Sequence, residues 1–176
     1  NTLTCNSLYL RQIMQQYAAG KSDDLAYRLA RRNAHNADAA LSTTLANMLM
    51  EPGHFRKEAD VGFRFLVLSH TLLSYLSGLG AHRETQLPQD VREHLIEGAG
   101  VKLAASIDEI AQGLASKSAI AIQSDEEEAL ANMLEQMPDE IDEGQRLVQT
   151  QLALICRQLG PLRTLAAHLI KDTSED

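Results

Sequence analysis

At 176 residues and 44% hydrophobic content, the chain can bury the core of one ordinary domain, which excludes disorder as its default state. Leu, Ala, Met, Gln and Glu dominate, Trp is missing and only four prolines interrupt them, so the composition reads as all-α. A net charge of −8 without a concentrated basic face argues against nucleic acid as a partner.

The first helix is predicted over about residues 3–19. Leu10, Ile13, Met14 and Tyr17 recur on one face at i, i+3, i+4 and i+7, and Gly20 stops it. Ser22-Asp23-Asp24 supplies an N-cap and first-turn acids for the second helix. That helix runs to Met50, before Glu51-Pro52-Gly53. Its apolar face is read as Leu29, Ala30, Ala34, Ala37, Leu41, Leu45 and Met48. The third helix, about 57–79, carries Val61, Phe65, Leu68, Leu72, Tyr75 and Leu79 at 4/3 spacing, with Leu66 and Leu73 as a second stripe. So wide an apolar arc predicts a central position in its bundle. Arg64 and His70 interrupt it as a membrane span, and a buried core helix is the better reading.

After a loop at 83–88, a fourth helix starts near Pro88 and continues to about Ser116. Its seam is Ile96, Gly100, Leu103, Ile107, Ile110 and Leu114, and Gly98 and Gly100 predict a bend or break. A connector over 118–124 leads to a short fifth helix, about 125–136, opened by Asp125-Glu126-Glu127-Glu128. That acid run reads as a solvated helix start. The sixth helix keeps Val148, Leu152, Ile155, Leu159, Leu162, Ala166 and Leu169 in 4/3 phase across Gly160-Pro161. Pro161 should therefore kink it rather than end it, and the acidic tail 172–176 should fray. Six helices with short connectors predict an antiparallel helical bundle forming a single domain over 1–176.

The chemistry-bearing segment is 28–38, where Arg28, Arg31, Arg32 and His35 share one helical stripe and Asp38 lies at its edge. Asn33 is expected to point into the apolar face, largely buried and hydrogen-bonded. Three readings of Arg31, Arg32, Asn33, His35, Asn36 and Asp38 stand open. The first is an interhelical polar cluster that fixes register. The second is a contact from Arg31, Arg32 and His35 to an anion or carboxylate. The third is a metal site on His35 and Asp38, which offers only two ligands and lacks the Glu-x-x-His partner of a di-iron bundle; no metal and no cofactor is expected. His54, His82, His94, His168 and His70 are scattered, and no phosphate loop, nucleophile elbow or Cys/His pair is present. Catalysis is not expected. Cys5 and Cys156 form no metal spacing or disulfide framework and read as reduced thiols.

Residues 30–42, Ala30-Arg31-Arg32-Asn33-Ala34-His35-Asn36-Ala37-Asp38-Ala39-Ala40-Leu41-Ser42, run on to Met48-Leu49-Met50-Glu51-Pro52. This stretch resembles a signature of the FUSC-like inner-membrane proteins, the fusaric-acid-resistance and aromatic-acid-exporter relatives, in their YccS/YhfK branch. The lead-in 7–14 and the late segment 152–159 are similar to the same branch. The resemblance implies a C-terminal cytoplasmic domain of a larger inner-membrane protein of efflux type, with the membrane-embedded part of its own chain as partner. The start at Asn1 fits a preceding segment. It implies no catalytic or ligand-binding residue.

Two functions follow as expectations: an accessory and assembly domain, compatible with a homo-oligomer, or a sensing module for a small anion whose identity is unknown. Charge is uneven, nine Lys/Arg against six Asp/Glu over 1–83 and seven against eighteen over 84–176. Together with the resemblance, which implies that the last span feeds into the first helix, that split leads to the expectation that the amino-terminal helix lies nearest the membrane on the cytoplasmic face, in keeping with the positive-inside tendency.

Overall fold

The structure, a computed structural model, describes residues 2–19, 25–51 and 56–172, with the side chains of 56–58 left aside. Gly20, the Ser22-Asp23-Asp24 cap, Pro52, Gly53, His54 and the tail 173–176 lie outside the described residues. Six continuous helices form an all-α bundle, and the described residues contain no strand. They are α1 (Thr2–Ala19), α2 (Leu25–Met50), α3 (Arg56–Ala81), α4 (89–116), α5 (Asp125–Glu135) and α6 (Glu143–Asp172). No helix among the described residues is long and apolar enough to cross a membrane.

The core forms where the predicted stripes meet. Tyr9, Leu10 and Ile13 of α1, Leu72 and Leu76 of α3, Leu103 and Ile107 of α4, and Leu152, Ile155 and Leu159 of α6 are completely shielded from water. Burying each such side chain contributes about 1.5–3 kcal/mol. α1 packs on α2, α3 and α4, while α6 packs on α3, α4 and α5. α2 and α5 are therefore the outer helices, which matters for everything below.

α4 does not break at its glycines. Gln89–Arg92 and Val101–Ser116 are α-helical, and Glu93–Gly100 between them winds as a π-helix. The wider turn keeps the helix continuous, and Gly100 lets α1 approach closely: a Cβ there would sit 2.2 Å from Met14 Sδ. The inward face of α2 lies where the sequence puts it: Ala34 and Leu45 are buried and Ala30, Ala37, Leu41 and Met48 half-buried, while Leu29, 53% exposed, gives its place in the first turns to the buried Tyr27. Tyr27 packs on Tyr9, ring centroids 5.8 Å apart.

α5 starts at Ser124, whose Oγ accepts a hydrogen bond from the Glu127 N–H at 3.3 Å. α6 runs through Pro161 without ending. The 118–124 connector leaves α4 through Lys117 in the left-handed region at φ 52°, and Ile120 packs over Gly113, where a Cβ would come within 2.4 Å of its Cγ1.

Candidate functional site

The polar segment of α2 lies on the outside of the bundle. Arg31, Arg32, Asn33, His35 and Asn36 are exposed and Asp38 is half-buried. The expected burial of Asn33 is thus overturned: it sits one position before the buried Ala34, on the solvent side of the helix. The residue that points inward instead is Asp38. Its Oδ2 lies 2.8 Å from His70 Nδ1 on α3, and its Oδ1 is buried without a hydrogen-bond partner.

His35 faces the same helix, with Nε2 3.4 Å from Ser77 Oγ and its ring 6.4 Å from that of Tyr9. At that length the Ser77 contact is a weak hydrogen bond. Partial burial lowers the His35 pKa below the ordinary histidine value, and the Arg31 charge lowers it further. Ser74, one turn along, spends its hydroxyl on the His70 carbonyl. The segment therefore joins α2 to α3 through Asp38 and His35, while Arg32, Asn33 and Asn36 contribute nothing to that contact. Among the described residues no group of three His, Cys, Asp or Glu comes together as a metal site.

A stronger polar centre lies where α4, α5 and α6 meet. Arg163 of α6 is 2% exposed. Its Nε and Nη2 donate to the Glu127 carboxylate of α5 at 2.6–3.0 Å, and Nη1 and Nη2 donate to Glu109 of α4 at 3.1–3.3 Å. Nη1 also donates to the Ala121 carbonyl at 3.3 Å. Burial works against the arginine's charge, but the hydrogen bonds to Glu127 and Glu109 outweigh it and hold the guanidinium protonated. One side chain thereby ties α4, α5, α6 and the 118–124 connector together.

Beside it, Arg157 joins Glu128 and Glu135 of α5 at the surface. Cys156 donates its thiol to the Glu127 carbonyl at 3.3 Å, and burial pushes its pKa up to about 12. A buried thiol held protonated is a poor nucleophile at neutral pH. These contacts neutralise charge and fix the register of α5 against α4 and α6.

Sequence reasoning missed this centre, and the signal was available. Arg163 stands four residues after Leu159 and three before Ala166, inside the clearest apolar seam of the chain. A charge on that seam demands an acid from a neighbouring helix, and the run 125–128 is where one was to be found.

The chain is related to known proteins over part of its length. Over 82 residues, 47% of this chain, it is 52% identical to an uncharacterized protein of Haemophilus influenzae. Over 79 residues, 45% of this chain, it is 49% identical to the inner membrane protein YccS of Escherichia coli. The matched stretch is only 11% of the length of either relative. An uncharacterized protein ORF2 of Neisseria gonorrhoeae is 37% identical over 78 residues, 43% of this chain and 19% of that protein. No family model matches the chain, and no solved structure matches it either. Part of the chain is thus homologous to part of an inner-membrane protein.

Proposed function

We propose that this is a non-catalytic accessory and assembly domain on the cytoplasmic face of a FUSC-like, efflux-type inner-membrane protein, and that it assembles by pairing α2 with α2 of a second copy. The observation that carries the reading is the outward face of α2. Only three of its 26 residues are buried, although the helix is apolar enough to hide more. Leu25, Leu29, Ala39, Ala46 and Met50, with the polar Arg32, Asn36 and Thr43 between them, are all exposed and recur at 4/3 spacing, so they form one stripe along which a second helix could lie.

That stripe is complementary to itself in the antiparallel direction. Pairing about the middle of α2 sets Leu25 against Met50, Leu29 against Ala46, Arg32 against Thr43 and Asn36 against Ala39. Large apolar residues meet at the two ends, and the small Ala39 and Ala40 let the helices approach at the centre. The basic amino-terminal half of one helix then lies beside Glu51 of the other. Such an interface is isologous, as two-fold dimers require. The similarity to an inner-membrane protein supports the membrane context, and the net positive charge of 1–83 supports a cytoplasmic, lipid-facing orientation.

Sedimentation of the chain over a wide concentration range tests the assembly. A reversible dimer is expected, and Ala39→Glu should return it to monomer without lowering the melting temperature. A chain that stays monomeric at every concentration, or an Ala39→Glu variant that still dimerises, would overturn the pairing. The transport role is tested separately, by screening cells that lack the full-length protein for altered susceptibility to organic acids and drugs.

A further inference from the structure

Three arginines of the bundle are paired with carboxylates. Arg163 holds Glu127 and Glu109, Arg157 holds Glu128 and Glu135, and Arg11 holds Asp108. Arg83 and Arg92 differ. Among the described residues neither makes an ion pair, although acids outnumber bases 24 to 16 in the chain. Both line one cleft, about 560 Å³ in volume, between the end of α1 and the turn that joins α3 to α4.

The two guanidinium groups are held differently. Arg83 lies flat over the Tyr27 ring, 4.3 Å from its centroid, and Nη1 donates to the Gly80 carbonyl at 3.1 Å. The stacking fixes the plane of the group and leaves its other N–H edge free for an acceptor. Arg92 is half-buried, and its Nε is shielded from water with no hydrogen-bond partner. A guanidinium N–H in that state costs stability unless an acceptor meets it. The Tyr17 hydroxyl donates to the Leu79 carbonyl at 2.6 Å and is not a partner of the Arg92 Nε.

The rest of the lining bears on what fits. Glu84 is the one acid in the wall; it is exposed and engaged in an interaction of its own. The formal charge of the lining is thus +1, within a chain of −8. Tyr17, Ala18 and Leu87 give the cleft an apolar side. The volume falls in the range of small-molecule sites.

We infer that this cleft binds a small organic oxyanion, a carboxylate or a phosphate ester, gripped between Arg83 and Arg92 with its carbon part against Tyr17 and Leu87. Planar oxyanions and phosphates match the guanidinium fork, and two such forks on one cleft select for them over chloride. The inference is independent of the α2 pairing, because the cleft lies on α1, the α3–α4 turn and α4.

Calorimetric titration of the chain with succinate and, separately, with glycerol phosphate, at ionic strength held constant with sodium chloride, tests it. Saturable binding of either probe at one per chain is expected. Succinate alone identifies a carboxylate site, glycerol phosphate alone a phosphate site, and both a general oxyanion site. Arg92→Gln and Arg83→Gln should each weaken binding at least tenfold, whereas Glu84→Gln should strengthen it, and Arg31→Gln should leave it unchanged. Absence of binding by both probes above the sodium chloride control overturns the inference. So does an affinity untouched by Arg83→Gln in a variant whose circular dichroism matches the parent. If Arg92→Gln fails to fold, Arg83→Gln and Glu84→Gln still decide the matter.

Discussion

Asp38 and Glu127 are carboxylates of nearly equal burial, with 14% and 11% of their side chains exposed, yet they play unlike parts. Asp38 of α2 pairs with His70, which is 63% exposed, and leaves one of its own oxygens without a partner. Glu127 of α5 pairs with Arg163, which is 2% exposed, and both of its oxygens are bonded. The difference lies in the partner. Water can take over from Asp38 on His70, but nothing can take over from Glu127 on Arg163. A polar group's weight in a fold therefore depends on what it would strand if removed.

The largest expected effect follows from that. Glu127→Leu would leave Arg163 buried with only Glu109, whose side chain is 59% exposed, as its counter-charge. A loss of about 3–5 kcal/mol in chemical denaturation is expected. Adding Arg163→Met should restore most of it, since an apolar pair of similar volume suits that seam. A double variant no more stable than Glu127→Leu alone would show that the charge was not the cause.

The two regions should also respond to acid at different points. Hydrogen bonds from Arg163 lower the Glu109 pKa below its ordinary 4.5. The unfolded chain therefore takes up that proton first, so the stabilisation is complete above about pH 4.5 and is lost as pH falls below it. Burial lowers the His35 pKa from 6.5, and by the same sign its contribution is complete above about pH 6.5 and fades below it. Thermal melts from pH 8 to pH 3 should show a shallow upper decline removed by His35→Gln and a steeper lower one reduced by Arg163→Met. One decline insensitive to both variants would mean that neither group governs the acid response.

How much of this was legible follows the strength of the apolar pattern. α1, α4 and α6 declared their buried faces because Leu and Ile recur in phase, and Ile96, Leu103, Ile107, Leu152 and Leu159 are all buried where the periodicity puts them. α2 declared its face as well, with Ala34 and Leu45 buried and Ala30, Ala37, Leu41 and Met48 half-buried. Only its amino-terminal end differs, where Tyr27 rather than Leu29 turns inward to meet Tyr9, a tertiary contact that no window of sequence contains. The candidate cluster at 28–38 was noticed for its polar density, yet Asn33, expected inside, lies at the surface like the arginines beside it. Arg163 was overlooked as a single charge among leucines, although that isolation was the informative feature.

A smaller effect is expected on the α2 side. Asp38→Ala removes the contact to His70 together with an oxygen that had no partner, so its cost and its relief nearly balance. A change within about 1 kcal/mol is expected, as for ion pairs that reach solvent. A loss as large as that of Glu127→Leu would place α2's junction with α3 on an equal footing with the Arg163 centre and erase the contrast.

The smallest expected effect on stability comes from Asn33→Leu, and it separates folding from assembly. Asn33 is exposed, so its substitution should change the unfolding free energy by less than about 0.5 kcal/mol. The substitution also enlarges the apolar surface beside Leu29 and Asn36, on the flank of the stripe proposed to pair with a second copy. Opposite it in the antiparallel arrangement stands Ser42, small enough to admit a leucine. The variant should therefore dimerise at least as readily as the parent while unfolding at the same denaturant midpoint under dilute, monomeric conditions. A marked loss of monomer stability would mean that Asn33 is tied into the fold after all. Unchanged stability with weakened dimerisation would move the pairing face of α2 away from Asn33 and toward the opposite flank.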